Sequence, residues 1–251
     1  MPPRGTNSDA TRRYLPGLFS SGVLPDRLPT GIDSVDRLLG GGLETDSVTE
    51  LYGEGGSGKT LFCLQVAYRV ARDGKWVFYV DTEGVSVDRL RAVAGDTLEK
   101  LLKRFLLSTP KNLAEQSAAV RTACALARDG KRPVGLVVVD SATAFYRLSL
   151  SGPEEDDARQ ALSLEIAEMV RTALEGHVAV VFTNQVWRSM RDNRLEPLGG
   201  SFLNHAAKTI LDFERLPGPE RRVVLVKHRD RPEGSARFRI TDTALVGAGG
   251  G

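Results

Sequence analysis

The sequence predicts an α/β fold in which helices flank a mostly parallel central sheet and antiparallel strands extend its C-terminal edge. Short apolar runs, such as Trp76–Val80 and Leu136–Asp140, alternate with helical patterns, as expected for strands buried on both faces. A glycine-rich loop joins an earlier strand to a helix, which is typical of nucleotide-binding α/β folds. After Lys208, three strand-like runs follow one another through Gly and Pro turns, and this predicts the antiparallel edge.

The individual elements follow from hydrophobic period and from start and stop residues. Asn112 with Glu115 resembles a capping box that opens a helix, and Gly74, Gly130 and Gly176 end three helical patterns. The predicted strands are Ser47–Tyr52, Trp76–Val80, Phe105–Thr109, Leu136–Asp140, Val178–Asn184, Thr209–Arg215, Arg222–His228 and Ala236–Thr241. The predicted helices are Gly58–Arg72, Asn112–Arg128 and Glu154–Leu174.

Length and composition indicate one globular core. The chain has 251 residues, of which 41% are hydrophobic, enough for one sizeable core. We expect a flexible N-terminal arm over residues 1–28, a core over 29–243 and a disordered tail over 244–251. There is no apolar run of membrane-spanning length and no secretory signal pattern, so we expect a cytoplasmic protein. The two cysteines are far apart and belong to no metal-binding pattern.

Basic residues are unevenly distributed along the chain. The net charge is only +2, but residues 188–239 hold twelve basic and seven acidic residues, which leaves an excess of five positive charges there. Arginine outnumbers lysine by 26 to 8, and its planar, permanently charged group suits phosphate recognition. A GC-rich genome would raise the arginine total as well, but it would not explain the clustering.

The glycine-rich loop predicts a nucleotide site. Its eight residues fit the pattern G-x-x-x-x-G-K-[ST] and lie between a strand and a helix: Gly53, Glu54, Gly55, Gly56, Ser57, Gly58, Lys59 and Thr60. The glycines let backbone N–H groups surround a polyphosphate, and the helix N-terminus adds partial positive charge. We expect Lys59 to reach the β- and γ-phosphates of ATP and the Thr60 hydroxyl to bind Mg²⁺.

Two carboxylates complete the predicted site. Asp140 ends the apolar run Leu136–Val139 and is expected to hold the magnesium shell. Asp81-Thr82-Glu83-Gly84 follows another buried strand, whose C-terminal end should face the nucleotide crevice. Glu83 is the candidate base that orients the attacking water, and Asp81 is expected to be structural.

These motifs together resemble the RecA/RadA recombinase superfamily. GEGGSGKT, DTEG, LVVVDSATA, FTNQV and PLGGSFLNHAAKTI carry the resemblance, which covers about residues 28–243. The nearest likeness is to archaeal RadA paralogues that lack the N-terminal helix-hairpin-helix domain. The resemblance implies a RecA-type P-loop ATPase core with ATP and Mg²⁺ as cofactors. It also implies DNA and a RadA-type recombinase as partners, with a homo-oligomer possible and no membrane.

The resemblance also assigns roles at two polar positions. Gln185 ends the Val178–Asn184 run, where the superfamily places a glutamine that senses the γ-phosphate and couples it to the following DNA-binding loop. His205 lies after that loop and is expected to link nucleotide state to DNA contact. Alternatively, Gln185 is a surface glutamine hydrogen-bonded to the backbone, and His205 is an ordinary helix histidine without a coupling role.

Two departures from the family pattern bear on activity. RadA carries a Phe-x-x-Ala motif upstream of its core that plugs into the next protomer, whereas the upstream phenylalanine here lies in Phe19-Ser20-Ser21-Gly22. The first DNA loop, from Arg147 to about Asp157, contains four consecutive carboxylates over Glu154–Asp157, which would repel a phosphate backbone. Both departures disfavour strand exchange.

Two basic clusters are the candidate DNA-binding surface. The second loop, residues 187–194, combines Trp187 with Arg188, Arg191 and Arg194, which suits phosphate neutralisation and base stacking. The second cluster contains Lys227, His228, Arg229 and Arg231 at the end of a strand. It serves either DNA phosphates or, as a comparable Lys-x-Lys or Lys-x-Arg does in RecA and KaiC, the nucleotide of a neighbouring protomer.

The sequence therefore predicts an ATP-binding, DNA-binding accessory protein of homologous recombination and DNA repair. We expect weak ATP hydrolysis coupled to the DNA-binding state and no strand exchange. Three alternatives are an active strand-exchange recombinase, a KaiC-like ATPase that scaffolds proteins, and a small-molecule P-loop kinase. The acidic first loop disfavours an active recombinase, and the arginines of the second loop disfavour a protein-scaffold ATPase. The sequence lacks the arginine-rich lid that a small-molecule kinase needs.

Overall fold

The computed structural model describes residues 26–150, 152–189 and 195–248. Its strands are β1 Arg27–Leu28, β2 Leu43–Glu44, β3 Ser47–Gly53, β4 Trp76–Asp81, β5 Phe105–Ser108, β6 Val134–Asp140, β7 Ala179–Asn184, β8 Val186–Arg188, β9 Leu195–Pro197, β10 Thr209–Arg215, β11 Glu220–Lys227, β12 Gly234–Ile240 and β13 Leu245–Gly247. Its α-helices are α1 Asp33–Leu39, α2 Lys59–Arg72, α3 Val87–Ala94, α4 Leu98–Leu102, α5 Leu113–Arg128, α6 Ala144–Ser149, α7 Glu155–Gly176 and α8 Gly200–Ala206.

One nine-stranded sheet organises the described residues, in the order β13-β12-β11-β10-β3-β7-β6-β4-β5. The strands from β10 to β5 run parallel, whereas β11, β12 and β13 each pair antiparallel with their neighbour. This confirms the predicted parallel sheet with an antiparallel C-terminal edge. Because β3, β7, β6 and β4 are parallel neighbours, the loops that follow them meet at one edge of the sheet.

The helices form two layers, one on each face of the sheet. Apolar residues of α1 to α4 pack on one face, and those of α5 to α8 pack on the other. Neighbouring strand residues point into opposite cores: Val77 joins the first and Phe78 the second. This burial on both faces explains why the central strands are almost wholly apolar in sequence.

The predicted elements agree with the structure to within a few residues, and Asn112 accepts a hydrogen bond from the Glu115 backbone N–H at 2.9 Å, as a cap should. The predicted domain limits need extension at both ends. Arg27 and Leu28, predicted in the flexible arm, pair with Glu44 and Leu43. The predicted disordered tail contains β13, whose Leu245 is buried. Residues 1–25 and 249–251 lie outside the described residues.

Along the described ranges, no helix combines the length and the apolar character that crossing a bilayer requires.

Candidate nucleotide and nucleic-acid sites

The glycine-rich loop of residues 53–60, here called the phosphate loop, connects β3 to α2, as the sequence predicts. Gly53 has φ 139°, and a Cβ there would lie 2.2 Å from the Phe213 carbonyl oxygen of β10, so only glycine fits where the loop leaves the sheet. Above Gly55 and Gly56 the space is open. The Ser57 hydroxyl is buried and has no hydrogen-bond partner among the described residues. An orphaned donor inside an open glycine loop suits an anionic ligand.

Lys59 turns its ammonium group back onto the phosphate loop. Its Nζ donates to the carbonyl oxygens of Gly53 at 2.7 Å and Glu54 at 3.1 Å. Burial lowers the pKa of Lys59, while the carboxylates of Glu83 and Asp140 act in the opposite direction. A half-buried cation bonded only to neutral carbonyls is ready to bind a polyphosphate.

Asp140 and Thr60, the two residues predicted to hold Mg²⁺, lie near each other beside the loop. The buried Asp140 carboxylate accepts hydrogen bonds from the hydroxyls of Tyr79 at 2.7 Å and Thr183 at 2.5 Å. Burial raises the pKa of Asp140, and the hydroxyls of Thr183, Tyr79 and Thr60 act against that rise. A hydroxyl and a carboxylate that lie beside the phosphate loop offer the oxygen ligands that Mg²⁺ prefers, so these residues fit the ion.

Asp81 shapes the turn that presents Glu83. Its carboxylate accepts backbone N–H bonds from Glu83 at 3.1 Å, Gly84 at 2.8 Å and Val85 at 2.5 Å. This is the structural role predicted for Asp81. The Glu83 side chain is left exposed beyond the C-terminal end of β4.

Gln185 joins the candidate base to the second loop. Its Nε2 donates to Glu83 Oε1 at 2.7 Å, and its backbone N–H donates to the Thr143 hydroxyl at 3.0 Å. Its Oε1 accepts a bond from Arg147 Nη1 at 3.3 Å. The candidate phosphate sensor and the candidate base are therefore in direct contact, across 102 residues of sequence.

The second loop begins as a hairpin whose base is fixed to the sheet. Leu198 N–H donates to the Gln185 carbonyl at 3.0 Å, and the Leu198 carbonyl accepts from Asn184 Nδ2 at 2.9 Å. Beyond this base, β8 pairs antiparallel with β9. The base of the hairpin is therefore anchored at Asn184 and Gln185, where β7 ends.

The arginines of this loop are only partly described. Arg188 lies on β8, with Nη2 3.7 Å from the Glu54 carboxylate of the phosphate loop, and Trp187 is 45% exposed beside it. Arg191 and Arg194 lie outside the described residues, so their predicted DNA contact stays a prediction. The hairpin therefore contacts the phosphate loop through Arg188 and carries the exposed indole of Trp187.

The second basic cluster makes extensive intramolecular contacts. Lys227 Nζ donates to the carbonyl oxygens of Asn204 at 2.5 Å and Ala207 at 2.8 Å, at the C-terminal end of α8. Arg229 Nε lies 2.9 Å from the buried Glu44 carboxylate. The His228 side chain is buried, and burial lowers its pKa. Arg231 is exposed.

His205 lies on the exposed side of α8, the short helix that follows the hairpin. Because Lys227 bonds the end of this helix, the cluster is connected to the segment that carries the candidate coupling residue. The contact of Lys227 with helix C-terminal carbonyls is electrostatically favourable.

Four residues of the site were missed in the sequence. Tyr79, Thr183, Thr143 and Arg221 act through contacts made between distant segments; Arg221 Nε donates to the Gly56 carbonyl at 3.2 Å. Only Thr183 carried a usable signal, since this polar residue directly follows the apolar run Val178–Phe182 near the C-terminal end of a strand.

Comparison with known proteins agrees with this fold. The sequence profile of the Rad51 family matches residues 26–248. The DNA repair and recombination protein RadB of Methanococcoides burtonii is 39% identical over 223 residues, covering 87% of this chain and 97% of the relative. RadB of Methanoculleus marisnigri is 40% identical over 221 residues, covering 88% of this chain and 97% of that relative. A crystal structure of the RadB recombinase matches with a TM-score of 0.72 and 34% identity, covering 88% of this chain and 99% of that chain.

The chain belongs to the Rad51 family, whose fold is the RecA/Rad51 type. Within that family its similarity is to the archaeal RadB proteins of DNA repair and recombination, which confirms the family predicted from the motifs.

Proposed function

We propose that this protein binds ATP with Mg²⁺, binds DNA, and assists a RadA-type recombinase in homologous recombination without performing strand exchange itself. The single observation that carries the proposal is the contact between Gln185 and Glu83. It joins a nucleotide site on one side to an arginine-bearing hairpin on the other. Such a link would let the nucleotide and a second ligand influence each other's binding.

ATP and Mg²⁺ are supported by the phosphate loop and its surroundings. The loop offers an open glycine backbone and the Lys59 ammonium to a triphosphate. Thr60 and Asp140 would hold the ion, which neutralises phosphate charge when bound. Glu83 would orient water, and the hydrogen bond from Gln185 occupies one of its carboxylate oxygens, which favours slow turnover.

DNA binding is supported by the hairpin and its basic residues. Arg188 and the exposed Trp187 lie on β8, and Arg191 and Arg194 follow in sequence. Arginine charge neutralises phosphates, and an exposed indole can stack on a base. The second cluster supports DNA contact best at Arg231, since Lys227, His228 and Arg229 make the internal contacts described above.

The absence of strand exchange is supported by the first loop. Glu155, Asp156 and Asp157 occupy the first turn of α7, where carboxylates are favoured by the positive end of the helix dipole. These carboxylates therefore stabilise the start of α7. Their negative charges nevertheless lie beside the proposed DNA-binding loops. A phosphate backbone drawn along both loops would meet this repulsion.

A partner recombinase would find a suitable surface at strand β5. This strand forms one edge of the sheet among the described residues, and its Leu106 and Leu107 are 42% and 48% exposed. A cavity of about 240 Å³ beside them is lined by Phe78, Ala123 and other apolar side chains. An apolar segment of the partner could pair with the free edge and fill this cavity. Leu107→Glu should then abolish co-elution with the recombinase while DNA affinity is retained.

The proposal is tested by equilibrium binding to single- and double-stranded DNA, with and without ATP and Mg²⁺, together with a D-loop assay. We expect nucleotide-dependent DNA affinity and no D-loop product from the protein alone. D-loop formation would instead identify an active recombinase. ATP binding without any DNA binding would favour the protein-scaffold ATPase.

A further inference from the structure

Arg147 contacts the coupling glutamine from the side opposite the candidate base. It lies on the last turn of α6, where the first loop begins, and its guanidinium is exposed. Its Nη1 donates to Gln185 Oε1 at 3.3 Å, while Gln185 Nε2 donates to Glu83 at 2.7 Å. The two ends of one amide are thus held by a cation and by the carboxylate.

This arrangement fixes the orientation of the Gln185 amide. An amide has one acceptor oxygen and one donor nitrogen, and a guanidinium can bond only to the oxygen. With its oxygen at Arg147, the nitrogen must face Glu83, and the backbone N–H of Gln185 is itself held by Thr143. Arg147 therefore stabilises the state in which the carboxylate of Glu83 is engaged by the glutamine.

The same guanidinium lines an open cleft on the nucleic-acid side of the molecule. The cleft has a volume of about 790 Å³ and lies between the first loop and the hairpin, with Trp187 and Phe202 on its wall. These two aromatic side chains are 45% and 44% exposed. Glu155 and Glu196 also line the cleft, and Glu155 is paired there with Arg159, so Arg147 is the lining cation that bonds to the neutral Gln185 amide.

We propose that Arg147 is a positioning residue that holds Gln185 on Glu83 until a DNA phosphate takes its place as the partner of the guanidinium. This inference rests on the proposed function and names its regulation. A charge-assisted bond to phosphate is stronger than one to a neutral amide, so DNA in the cleft competes Arg147 away from Gln185. The amide is then free to turn from Glu83 towards the γ-phosphate, and Glu83 regains its full capacity to orient water.

Arg147→Met in the full chain tests this, because methionine keeps the aliphatic length and removes the cation. Loss of one hydrogen bond that holds the resting state should raise ATP turnover without DNA by about threefold to tenfold. The KM for ATP should not rise, since Arg147 does not touch the phosphate loop and the freed Gln185 amide can only add a contact to the γ-phosphate. Oligothymidylate should stimulate the variant far less than the wild type, and ATP should no longer alter the variant's affinity for oligothymidylate.

Arg159→Met is the matched control. Arg159 lines the same cleft, but its guanidinium pairs with Glu155 at 2.9 Å and not with Gln185. This control should keep the wild-type turnover without DNA and the wild-type stimulation. An increase of the same size in both variants would show a general effect of lost charge and would overturn the inference.

Two further outcomes separate this inference from the proposed function. If Arg147→Met weakens DNA binding but leaves the DNA-independent turnover and the effect of ATP on DNA affinity unchanged, Arg147 is only a DNA contact and the inference fails alone. If the wild type binds no DNA in the presence of ATP and Mg²⁺, the proposed function fails and the inference fails with it.

Discussion

At the scale of single residues, Lys59 allows a test of the phosphate-loop assignment. Its ammonium now bonds to the carbonyls of Gly53 and Glu54, which are weaker partners than phosphate. Lys59→Ala should therefore lower ATP affinity by about tenfold to a hundredfold, the value of a charged hydrogen bond, while the fold survives. Calorimetric titration with ATP measures this. An unchanged affinity in a folded variant would remove the phosphate-loop assignment.

Glu83 separates nucleotide binding from chemistry. Glu83→Gln keeps the size of the side chain and an acceptor for Gln185 but removes the base, so turnover should fall by about a hundredfold or more while ATP still binds. Phosphate release and ATP affinity should be measured on the same preparation. Equal turnover in wild type and variant, at a measurable wild-type rate, would show that another group orients the water.

At the scale of elements, the sequence predicted the strands that are buried on both faces and the longer amphipathic helices. It missed α1, α3, α4, α6 and α8, which have five to eight residues each and therefore too few turns to show a helical period. It also missed β8, β9 and β13, of three residues each. These short elements are stabilised by tertiary contacts, such as that of Lys227 with α8.

A buried carboxyl group on β3, beside the base of the hairpin, should affect the free energy of unfolding when it ionises. Glu50 on β3 accepts a hydrogen bond from Asn184 Nδ2 at 2.7 Å, and burial raises its pKa to about 7. Between pH 4.5 and 7 the unfolded chain ionises at Glu50 while the folded protein stays protonated. The folded state is therefore disfavoured progressively as pH rises through this window, by up to about 3 kcal/mol.

Glu50→Gln tests this pH dependence, since glutamine can still accept the bond from Asn184. The free energy of unfolding of the variant, measured by urea titration from pH 4.5 to 8, should decline less with pH than that of the wild type. The variant should also be the more stable of the two above pH 7. Parallel curves for the two proteins would show that Glu50 does not titrate in this window.

At the scale of the whole molecule, the sequence predicted the fold, the phosphate loop and the presence of Asp140 and Glu83 at one sheet edge. That success rests on parallel strands, whose C-terminal ends must meet. The contact of Gln185 with Arg147 and the capping of α8 by Lys227 were not predicted, because they depend on side-chain directions set by tertiary packing. The second basic cluster shows the same limit, since its composition left the role open between DNA phosphates and a neighbouring protomer's nucleotide and did not show the internal contacts of Lys227 and Arg229.

DNA affinity as a function of salt tests the central claim most directly. With ATP and Mg²⁺, log affinity for single-stranded DNA should fall linearly with log salt, and replacing Arg188, Arg191 and Arg194 by Ala should make the slope shallower by about 0.7 per lost phosphate contact. A parallel variant with Lys227, Arg229 and Arg231 replaced shows whether the second cluster contributes. Loss of ATP turnover or self-association with normal DNA binding in that variant would place the cluster at a protomer interface. An unchanged slope and affinity in both variants would contradict the account and favour a protein-scaffold ATPase.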